Sequence, residues 1–555
     1  MKKENKNIQT STLLDKIVVQ YKKNPKIFLA SIIACAILLT ALTFDIKLST
    51  GGDDVSYILA ANDFIKKGIL PVGFKSPGYP IFLSLFVMLF GMNIIALKLT
   101  STFMFLASIL SLYYLLKNKI ETETFTISLV LFTINLLVIQ YACHTYSEMT
   151  FLFLQLWIIF MFVYIAEKQN PSIIQIALLA IMAMIGFYVR AIGATLPIAI
   201  FLWFLIKKNI KTSLIFSAFC IMLYSPLKIA ELISKKPLLS QSSLIFMVNP
   251  YNPAMGTETL EGFIQRVKDN LIIHLNYMFP KALGLPYGEH LATANGNLLP
   301  DAIAFLGLLI STVLIIGLIS SLRNKNPLLS FSSLYIIVYV FGISFALQTF
   351  FATPRMMVPI TPLLILMFLL GIQTLLHRFL KTENNWTHRF KKWFVALTTI
   401  IVFSNGYYDL KAIKEHLPVL KSNLSGNEYA GYTPDWVNYI KACRWIAQNL
   451  PRDSVGIICR KAEFFRIYTN DYPTYGVYSI ESSDADSIIT HWKTWKMTHI
   501  LYDNFQWSST LRRYVQPAFD KYPHMFEILH KEGTVYPSYV IKIKYDKPLF
   551  IKNNN

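Results

Sequence analysis

The sequence predicts a polytopic α-helical membrane protein with a small α/β domain at its C-terminus. Its 555 residues are 54% hydrophobic and only 15% charged, whereas soluble domains carry roughly 25% charged residues. Apolar stretches of about 20 residues, long enough to cross a bilayer core of about 30 Å, recur along the chain. Beyond about residue 409 the composition becomes more polar, with helical and β-rich segments. These three observations exclude a disordered chain and most soluble enzymes.

The net charge of +20 bears on orientation in the membrane. In a soluble protein such an excess of Lys and Arg indicates nucleic acid binding, but in a membrane protein these residues accumulate in cytoplasmic loops. We therefore expect no nucleic acid partner, and we use the basic loops to assign the sides of the membrane.

About eleven spans are predicted by the 20-residue criterion. The first follows a basic N-terminus, residues 1–27, and has no small-residue cleavage site, so it is predicted to be a retained anchor. The predicted spans are 28–44, 94–116, 125–142, 149–165, 173–188, 191–206, 214–229, 302–322, 328–350, 356–376 and 393–407.

The apolar segment 79–90 is short, and segments of 10–14 residues are more often interfacial than spanning. If it does not span, the basic loops at 117–119, 207–211, 323–325 and 378–392 all fall on the side of the basic N-terminus. The positive-inside rule favours this topology. The transmembrane domain then comprises residues 28–408, with extracytoplasmic loops at 45–93 and 230–301. The tail, residues 409–555, is also extracytoplasmic.

The tail is predicted to be a soluble α/β domain. Apolar residues at helical spacing predict a helix over 436–449, which stops before Pro451. Short β-rich runs bounded by turn residues predict strands at 455–459, 499–502 and 539–543.

Five cysteines at positions 35, 143, 220, 443 and 459 show no C-x-x-C pairing, and the histidines lack metal-ligand spacing. The sequence therefore predicts no metal site. A divalent cation beside the paired Asp53 and Asp54 nevertheless remains open, as does a disulfide between Cys443 and Cys459.

Ionisable residues at membrane depth are candidates for function because charge is costly in a bilayer. In the predicted topology, several of them lie at one membrane–water interface although they are far apart in the sequence. They are Asp53, Asp54, Lys75, His144, Glu148, Arg190 and Arg355. A transporter more often places such residues near the midplane of the membrane.

Each of these residues also has a structural explanation. Asp53 follows two glycines and precedes an amphipathic segment, 55–67, so it is either a helix N-cap, a general base, or both. Glu148 is either a cap for the helix that begins near residue 149 or a substrate ligand. Lys75 is suited to snorkelling or to phosphate binding. Arg190 and Arg355 are suited to anchoring the ends of spans or to phosphate binding, and their position where basic residues are scarce favours phosphate binding.

The first outer loop resembles that of GT-C fold glycosyltransferases that use polyprenyl-phosphate sugars. These include the dolichyl-phosphate-mannose protein mannosyltransferases and the bacterial aminoarabinose transferases that modify lipid A. The resemblance rests on an Asp four residues before a Tyr (Asp53, Tyr57) and on a basic residue before Pro-Gly-Tyr-Pro (Lys75, residues 77–80). Acidic Glu148, and arginines at 190 and 355, agree as well. In aminoarabinose transferases a Glu precedes the lysine, where Phe74 stands here, and an Asp replaces Glu148. The resemblance therefore does not imply their donor.

The resemblance implies sugar transfer with inversion at the outer face. Asp53 would be the base, Asp54 would assist it, and the donor phosphate would be held by Lys75, Arg190 and Arg355. Substrate contacts are predicted for Tyr57, Tyr79, His144 and Glu148. The implied partners are the bilayer, a polyprenyl-phosphate-linked sugar donor and a lipid, glycan or protein acceptor. No cofactor is required, and the expected location is the bacterial inner membrane.

Outer loop 230–301, with its motifs at 249–253 and 286–290, is predicted to contribute to acceptor binding. Two other functions stay open. A flippase would place functional charges around a central cavity, whereas a lipid-linked glycan polymerase or ligase would need more cations to hold a diphosphate.

Overall fold

The computed structural model describes residues 13–72, 75–168, 170–234, 244–250, 255–286, 302–381, 388–477 and 484–545. Most of both motifs predicted to bind the acceptor, residues 251–253 and 287–290, lies outside these described residues.

The described helices follow the apolar runs of the sequence. Up to residue 234 they are α1 (Leu13–Lys23), α2 (Pro25–Thr43), α3 (Asp53–Lys67), α4 (Gly78–Phe90), α5 (Ile94–Leu116), α6 (Thr122–Thr133), α7 (Leu136–Ala142), α8 (Ser147–Ala166), α9 (Ile173–Val189), α10 (Thr195–Ile206) and α11 (Ile210–Ser234). Further along are α12 (Leu260–Ile273), α13 (Phe279–Ala282), α14 (Ala302–Leu322), α15 (Pro327–Ala346), α16 (Thr361–Leu380) and α17 (His388–Leu424).

Among the described residues, seven helices are long and apolar enough to cross a membrane, and an eighth span is formed if the pair α6–α7 is counted as one. This pair is bent by 51° where Asn135 caps α7 by accepting a hydrogen bond from the Val138 amide. Asn135 also donates to the carbonyl of Ala282, which fixes the break. The protein is therefore a multi-pass membrane protein.

Three of the eleven predicted spans fall outside this set. Two of them, 173–188 and 191–206, correspond to shorter apolar helices that flank Arg190. The backbone of Arg190 is extended, with φ −151° and ψ 131°, so the two helices cannot merge into one. The third, 393–407, lies inside the 37-residue helix α17, and the predicted domain boundary at residue 409 lies in the same helix.

The chain divides into two compact units. The first comprises residues 1–44, 67–89 and 95–418, and the second comprises residues 45–66, 90–94 and 419–555. Most of α3 therefore belongs to the same unit as the tail, although more than 350 residues separate them in the sequence.

The tail contains a mixed five-stranded sheet. Its helices are α18 (Pro434–Asn449), α19 (Ala462–Tyr468), α20 (Ala485–Thr494), α21 (Thr510–Tyr514) and α22 (Gln516–Lys521), and its strands are β1 (Ile457–Cys459), β2 (Thr474–Gly476), β3 (His499–Tyr502), β4 (Phe526–Glu532) and β5 (Ser538–Ile543). The strand order is β2-β1-β3-β5-β4. The pairs of β1 with β2 and β3 are parallel, whereas β5 runs antiparallel to β3 and β4.

The sheet packs against a buried core that includes Ile458, Trp492, Ile500 and Ile541. Strands β1 and β3 are buried at every position, as expected for inner strands covered on both faces. The tail is the α/β domain that the sequence predicts. Cys443 and Cys459 are both buried in it as free thiols.

Candidate active site

Glu148 lies at the centre of a buried ionic cluster in the first unit. It is the second residue of α8 and its side chain is fully buried. One carboxylate oxygen, Oε1, lies 2.5 Å from Nη1 of Arg190 and also pairs with Nε of Arg355. The other oxygen, Oε2, has no hydrogen-bond partner among the residues that the structure describes. Because burial of a lone charge is costly, the two guanidiniums offset the cost of burying this carboxylate.

Arg190 is held by the turn between α9 and α10. Its amide donates to the carbonyl of Gly186 at 3.1 Å, and its carbonyl accepts from Gly193 at 2.8 Å. The guanidinium also donates to the Ser147 hydroxyl at 3.2 Å. These contacts direct the side chain toward the start of α8, where Glu148 lies.

Arg355 enters the cluster from the 3₁₀ segment Pro354–Ile360. Its guanidinium lies 4.4 Å from the centre of the Tyr146 ring, a distance at which the π-system attracts the cation. The Tyr339 hydroxyl donates to the carbonyl of Met356 at 2.7 Å, which anchors the segment. Two guanidiniums thus share one carboxylate, and the cluster has a net charge of +1.

His144 joins the same neighbourhood through its ring. Its imidazole stacks on Tyr146 with ring centres 5.3 Å apart, and its Nδ1 lies 2.7 Å from the carbonyl of Gln140. The aromatic pair therefore connects His144 with the Arg355 guanidinium.

The segment of Lys75 and Tyr79 packs against the chain just before Arg190. A Cβ added to Gly78 would lie 2.7 Å from the carbonyl oxygen of Tyr188 and 2.8 Å from the amide nitrogen of Val189. Only glycine allows this approach. Tyr79 is fully buried and Lys75 is partly exposed. Two predicted phosphate-binding cations, Lys75 and Arg190, thus come from segments in direct contact.

Asp53 and Asp54 open α3 in the second unit, and their environments differ. Asp54 is fully buried and accepts hydrogen bonds from the amides of Ser49 at 2.6 Å and Val55 at 2.8 Å. Gly52 adopts φ +87°, which closes the loop before the helix. Asp53 is partly exposed, and Tyr57 is buried on the same helix. Asp54 is therefore bound into the loop structure, whereas Asp53 lies nearer the surface of its unit.

The comparisons with known proteins bear on both fold and family. Residues 74–229 match the family model described as dolichyl-phosphate-mannose-protein mannosyltransferase. This region includes Lys75, Tyr79, His144, Glu148 and Arg190. No curated protein matches the chain in sequence.

Two solved structures share the fold over most of the chain. The oligosaccharyltransferase of Archaeoglobus fulgidus, tethered to an acceptor peptide, matches with a TM-score of 0.55 and 11% identity, over 96% of this chain and 75% of that one. ArnT of Cupriavidus metallidurans, bound to undecaprenyl phosphate, matches with a TM-score of 0.52 and 12% identity, over 92% of this chain and 97% of that one. The chain has the GT-C fold. The fold predicted from the resemblance of the first loop is thereby confirmed.

Within this GT-C fold, the structure assembles part of the predicted site in each unit. The first unit brings together His144, Glu148, Arg190 and Arg355. The second unit carries Asp53, Asp54 and Tyr57 on one helix. Their functional roles remain predictions. Three further residues contribute to the cluster: Tyr146, Ser147 and Tyr339. The sequence did not identify them as site residues, although Tyr146 and Ser147 directly precede Glu148.

A metal centre is a separate question. Among the described residues no group of three or more His, Cys, Asp or Glu side chains is placed to hold a metal ion. The divalent cation left open by the paired Asp53 and Asp54 remains a prediction.

Proposed function

We propose that the protein is an integral-membrane glycosyltransferase that transfers a sugar from a polyprenyl-phosphate donor to a lipid, glycan or protein acceptor. The observation that carries the proposal is the Glu148–Arg190–Arg355 cluster, which combines burial with an excess of positive charge. Such a site favours an anion. The match of residues 74–229 to a mannosyltransferase family and the undecaprenyl phosphate bound by the structural neighbour ArnT indicate a lipid phosphate.

The reaction is a single displacement. Asp53 accepts the proton of the acceptor hydroxyl or amine as the acceptor attacks the anomeric carbon. The bond between that carbon and the phosphate oxygen breaks, so the polyprenyl phosphate departs with the electron pair and the configuration inverts. Asp54 orients the loop that carries Asp53, and Tyr57 contacts the substrate.

The negative charge that develops on the departing phosphate is stabilised by three cations, Lys75, Arg190 and Arg355. Preorganised cations act strongly where water is excluded, and loss of one costs on the order of 10²–10³ in rate. Glu148 offsets one of the three positive charges. The remaining charge of about +2 matches one departing phosphate monoester, whose charge at pH 7 is about −1.5 to −2.

A lipid-linked glycan polymerase or ligase with a diphosphate donor is the nearest alternative, and a flippase is the second. A diphosphate needs more cations than this site provides, whereas a flippase needs no base at the position of Asp53. The net charge of about +2 on Lys75, Arg190, Arg355 and Glu148 together favours the monophosphate.

We further propose that the reaction takes place on the extracytoplasmic side of a bacterial inner membrane. The basic loops at 117–119, 207–211, 323–325 and 378–392 indicate the cytoplasmic face, which also holds the N-terminus. The tail and the first outer loop then lie on the opposite side.

The test measures release of the carrier lipid. The protein, purified in detergent, is incubated with a panel of undecaprenyl-phosphate sugars and one acceptor extract, and undecaprenyl phosphate is quantified by mass spectrometry. We expect release by the wild type and a loss of at least about 100-fold in Asp53→Asn, because the base is removed. Asp453→Asn, at an exposed position of the tail, is the matched control and should behave as the wild type.

Equal release by wild type and Asp53→Asn would contradict the assignment of the base. If no donor in the panel releases its lipid, and diphosphate-linked glycans bind instead, the monophosphate mechanism is wrong.

A further inference from the structure

The loop that precedes α3 is held at several points by the tail, within the second unit. Both ends of the segment 45–66 make polar contacts with residues that follow position 430. These contacts are Lys47 Nζ to the Gly431 carbonyl at 3.0 Å, the Leu48 amide to the Tyr432 hydroxyl at 2.8 Å, Lys461 Nζ to the Thr50 carbonyl at 3.2 Å, and Arg466 Nη2 to the Asp63 carboxylate at 2.9 Å.

Lys461 makes the contact nearest to Asp53 in this set. Its ammonium donates to the carbonyl of Thr50, three residues before Asp53. A Cβ added to Gly52 would lie only 4.0 Å from Lys461 Nζ, so the ammonium lies directly against the glycine turn.

The position of Lys461 is itself fixed by aromatic rings. Its Nζ lies 5.0 Å from the ring centre of Trp507 and 5.7 Å from that of Trp436. Trp436 is 3% exposed and packs on Phe505, with ring centres 4.6 Å apart. One buried ring, Trp436, and one half-exposed ring, Trp507, therefore support the lysine that contacts the loop.

We propose that Lys461 is the positioning residue for Asp53: it fixes the glycine turn through the Thr50 carbonyl and places its ammonium group beside that turn. This inference rests on the proposed function, in which Asp53 is the base. It assigns the tail an indirect part in catalysis through a side chain that lies against the turn, where Glu463 and Phe464 also lie.

The charges around Lys461 are consistent with this role. Burial and the neighbouring Arg460 lower the pKa of Lys461, while Glu463, Asp503 and Asp53 act in the opposite direction. The attraction between Lys461 and Asp53 is reciprocal. Loss of the lysine charge should therefore raise the pKa of the Asp53 carboxyl, so that the base becomes protonated at a higher pH.

Two substitutions separate charge from structure. Lys461→Met keeps the length of the side chain but removes its charge and its donor, whereas Lys461→Arg keeps both. Lys521→Met is the matched control, since Lys521 pairs with Asp486 on the surface of the tail and has no contact with segment 45–66 among the contacts described above.

With the donor identified in the release assay, we expect Lys461→Met to lower kcat by about 10-fold to 100-fold, as a misplacement of about 1 Å at a reacting group does. The KM for the donor should stay within about twofold, and the acidic limb of the pH–kcat profile should move to higher pH. Lys461→Arg should recover most of the rate and the wild-type profile.

The inference is overturned if Lys461→Met retains the wild-type kcat and pH profile. It is also overturned if the rate falls only in proportion to the folded fraction, with an unchanged profile, because a purely structural role predicts that result. If Lys461→Met does not fold, Lys461→Gln takes its place under the same criteria. Failure of the proposed function is distinct, since the wild type itself would then release no undecaprenyl phosphate.

Discussion

Glu148 shows how one carboxylate organises a site built from distant parts of the sequence. Its partners lie 42 and 207 residues further along the chain, at Arg190 and Arg355, and all three meet at the buried start of α8. Without the carboxylate, two guanidiniums would face each other in a region of low dielectric constant, where like charges repel strongly. The carboxylate thus allows two cations to be concentrated at one point.

This arrangement predicts that Glu148→Gln leaves the two arginines without their counter-charge. Removal of one member of a buried ion pair costs about 3 to 5 kcal/mol, so the melting temperature in detergent should fall. Added undecaprenyl phosphate should raise the melting temperature more in Glu148→Gln than in the wild type, because a phosphate replaces the lost charge.

Glu167→Gln is the control for this experiment. Glu167 pairs with Lys119 at the surface, with side chains 40% and 35% exposed, so the substitution should cost less than about 1 kcal/mol. An equal response of the Glu148 and Glu167 variants to the lipid phosphate would refute the assignment of the cluster as the phosphate site.

The sequence identified Glu148, Arg190 and Arg355 because ionisable residues at a membrane interface are rare, but it left open whether Asp53 caps α3. In the structure Asp54 accepts hydrogen bonds from the amides of Ser49 and Val55, and the role of Asp53 stays a prediction. Adjacent identical side chains cannot be told apart by spacing, because their roles depend on a loop conformation that only the folded chain defines.

At the scale of elements, the start of α4 depends on one close approach. The Pro-Gly-Tyr-Pro motif places Gly78 against the carbonyl of Tyr188, so the helix that follows Lys75 begins where α9 ends. The motif therefore has a structural role, because it allows α4 to pack closely against the end of α9.

Gly78→Ala should separate these two segments. The added Cβ would lie 2.7 Å from the Tyr188 carbonyl, and overpacking of this kind costs about 1 to 3 kcal/mol. We expect lipid release to fall by about 10-fold or more, because Lys75 and Arg190 shift relative to each other. The measurements are release of undecaprenyl phosphate and the melting temperature.

Gly406→Ala is the matched control, since a Cβ at that position of α17 meets no atom within 4 Å and alanine favours a helix by up to about 1 kcal/mol. Wild-type release by Gly78→Ala would show that the contact with Tyr188 is not needed for the site.

Most helices and the three inner strands of the tail were predictable from the sequence, because apolar runs and alternation report burial directly. The strands β2 and β4 were not. Strand β2 has only three residues. Strand β4 is an edge strand whose exposed positions are Glu527, Ile528 and Lys531, and its register is irregular between Ile528 and His530. Neither gives the pattern of a half-buried strand.

At the scale of the whole molecule, the second unit is discontinuous in sequence. It unites 45–66 with 419–555, and its sheet is completed only by β5, which pairs with β3 on one side and β4 on the other. This connectivity could not be inferred from the sequence, because neither segment carries a pattern that specifies the other.

We predict that a chain ending at residue 537 loses lipid release, whereas one ending at residue 545 keeps it. The shorter chain lacks β5, which leaves the buried core around Ile500 and Trp492 uncovered and removes the strand between β3 and β4. Release and melting temperature in detergent distinguish the two chains. Full activity of the shorter chain would show that the sheet is dispensable for the placement of α3.

The discontinuity of the second unit also sets an order of events during biosynthesis. Asp53 leaves the ribosome long before Gly431, Lys461 and Arg466, whose side chains or carbonyls hold its loop. The membrane helices are therefore synthesised before the residues that hold the Asp53 loop. Under the proposed function, a nascent or prematurely terminated chain would lack a positioned base until translation has passed the last of these contacts.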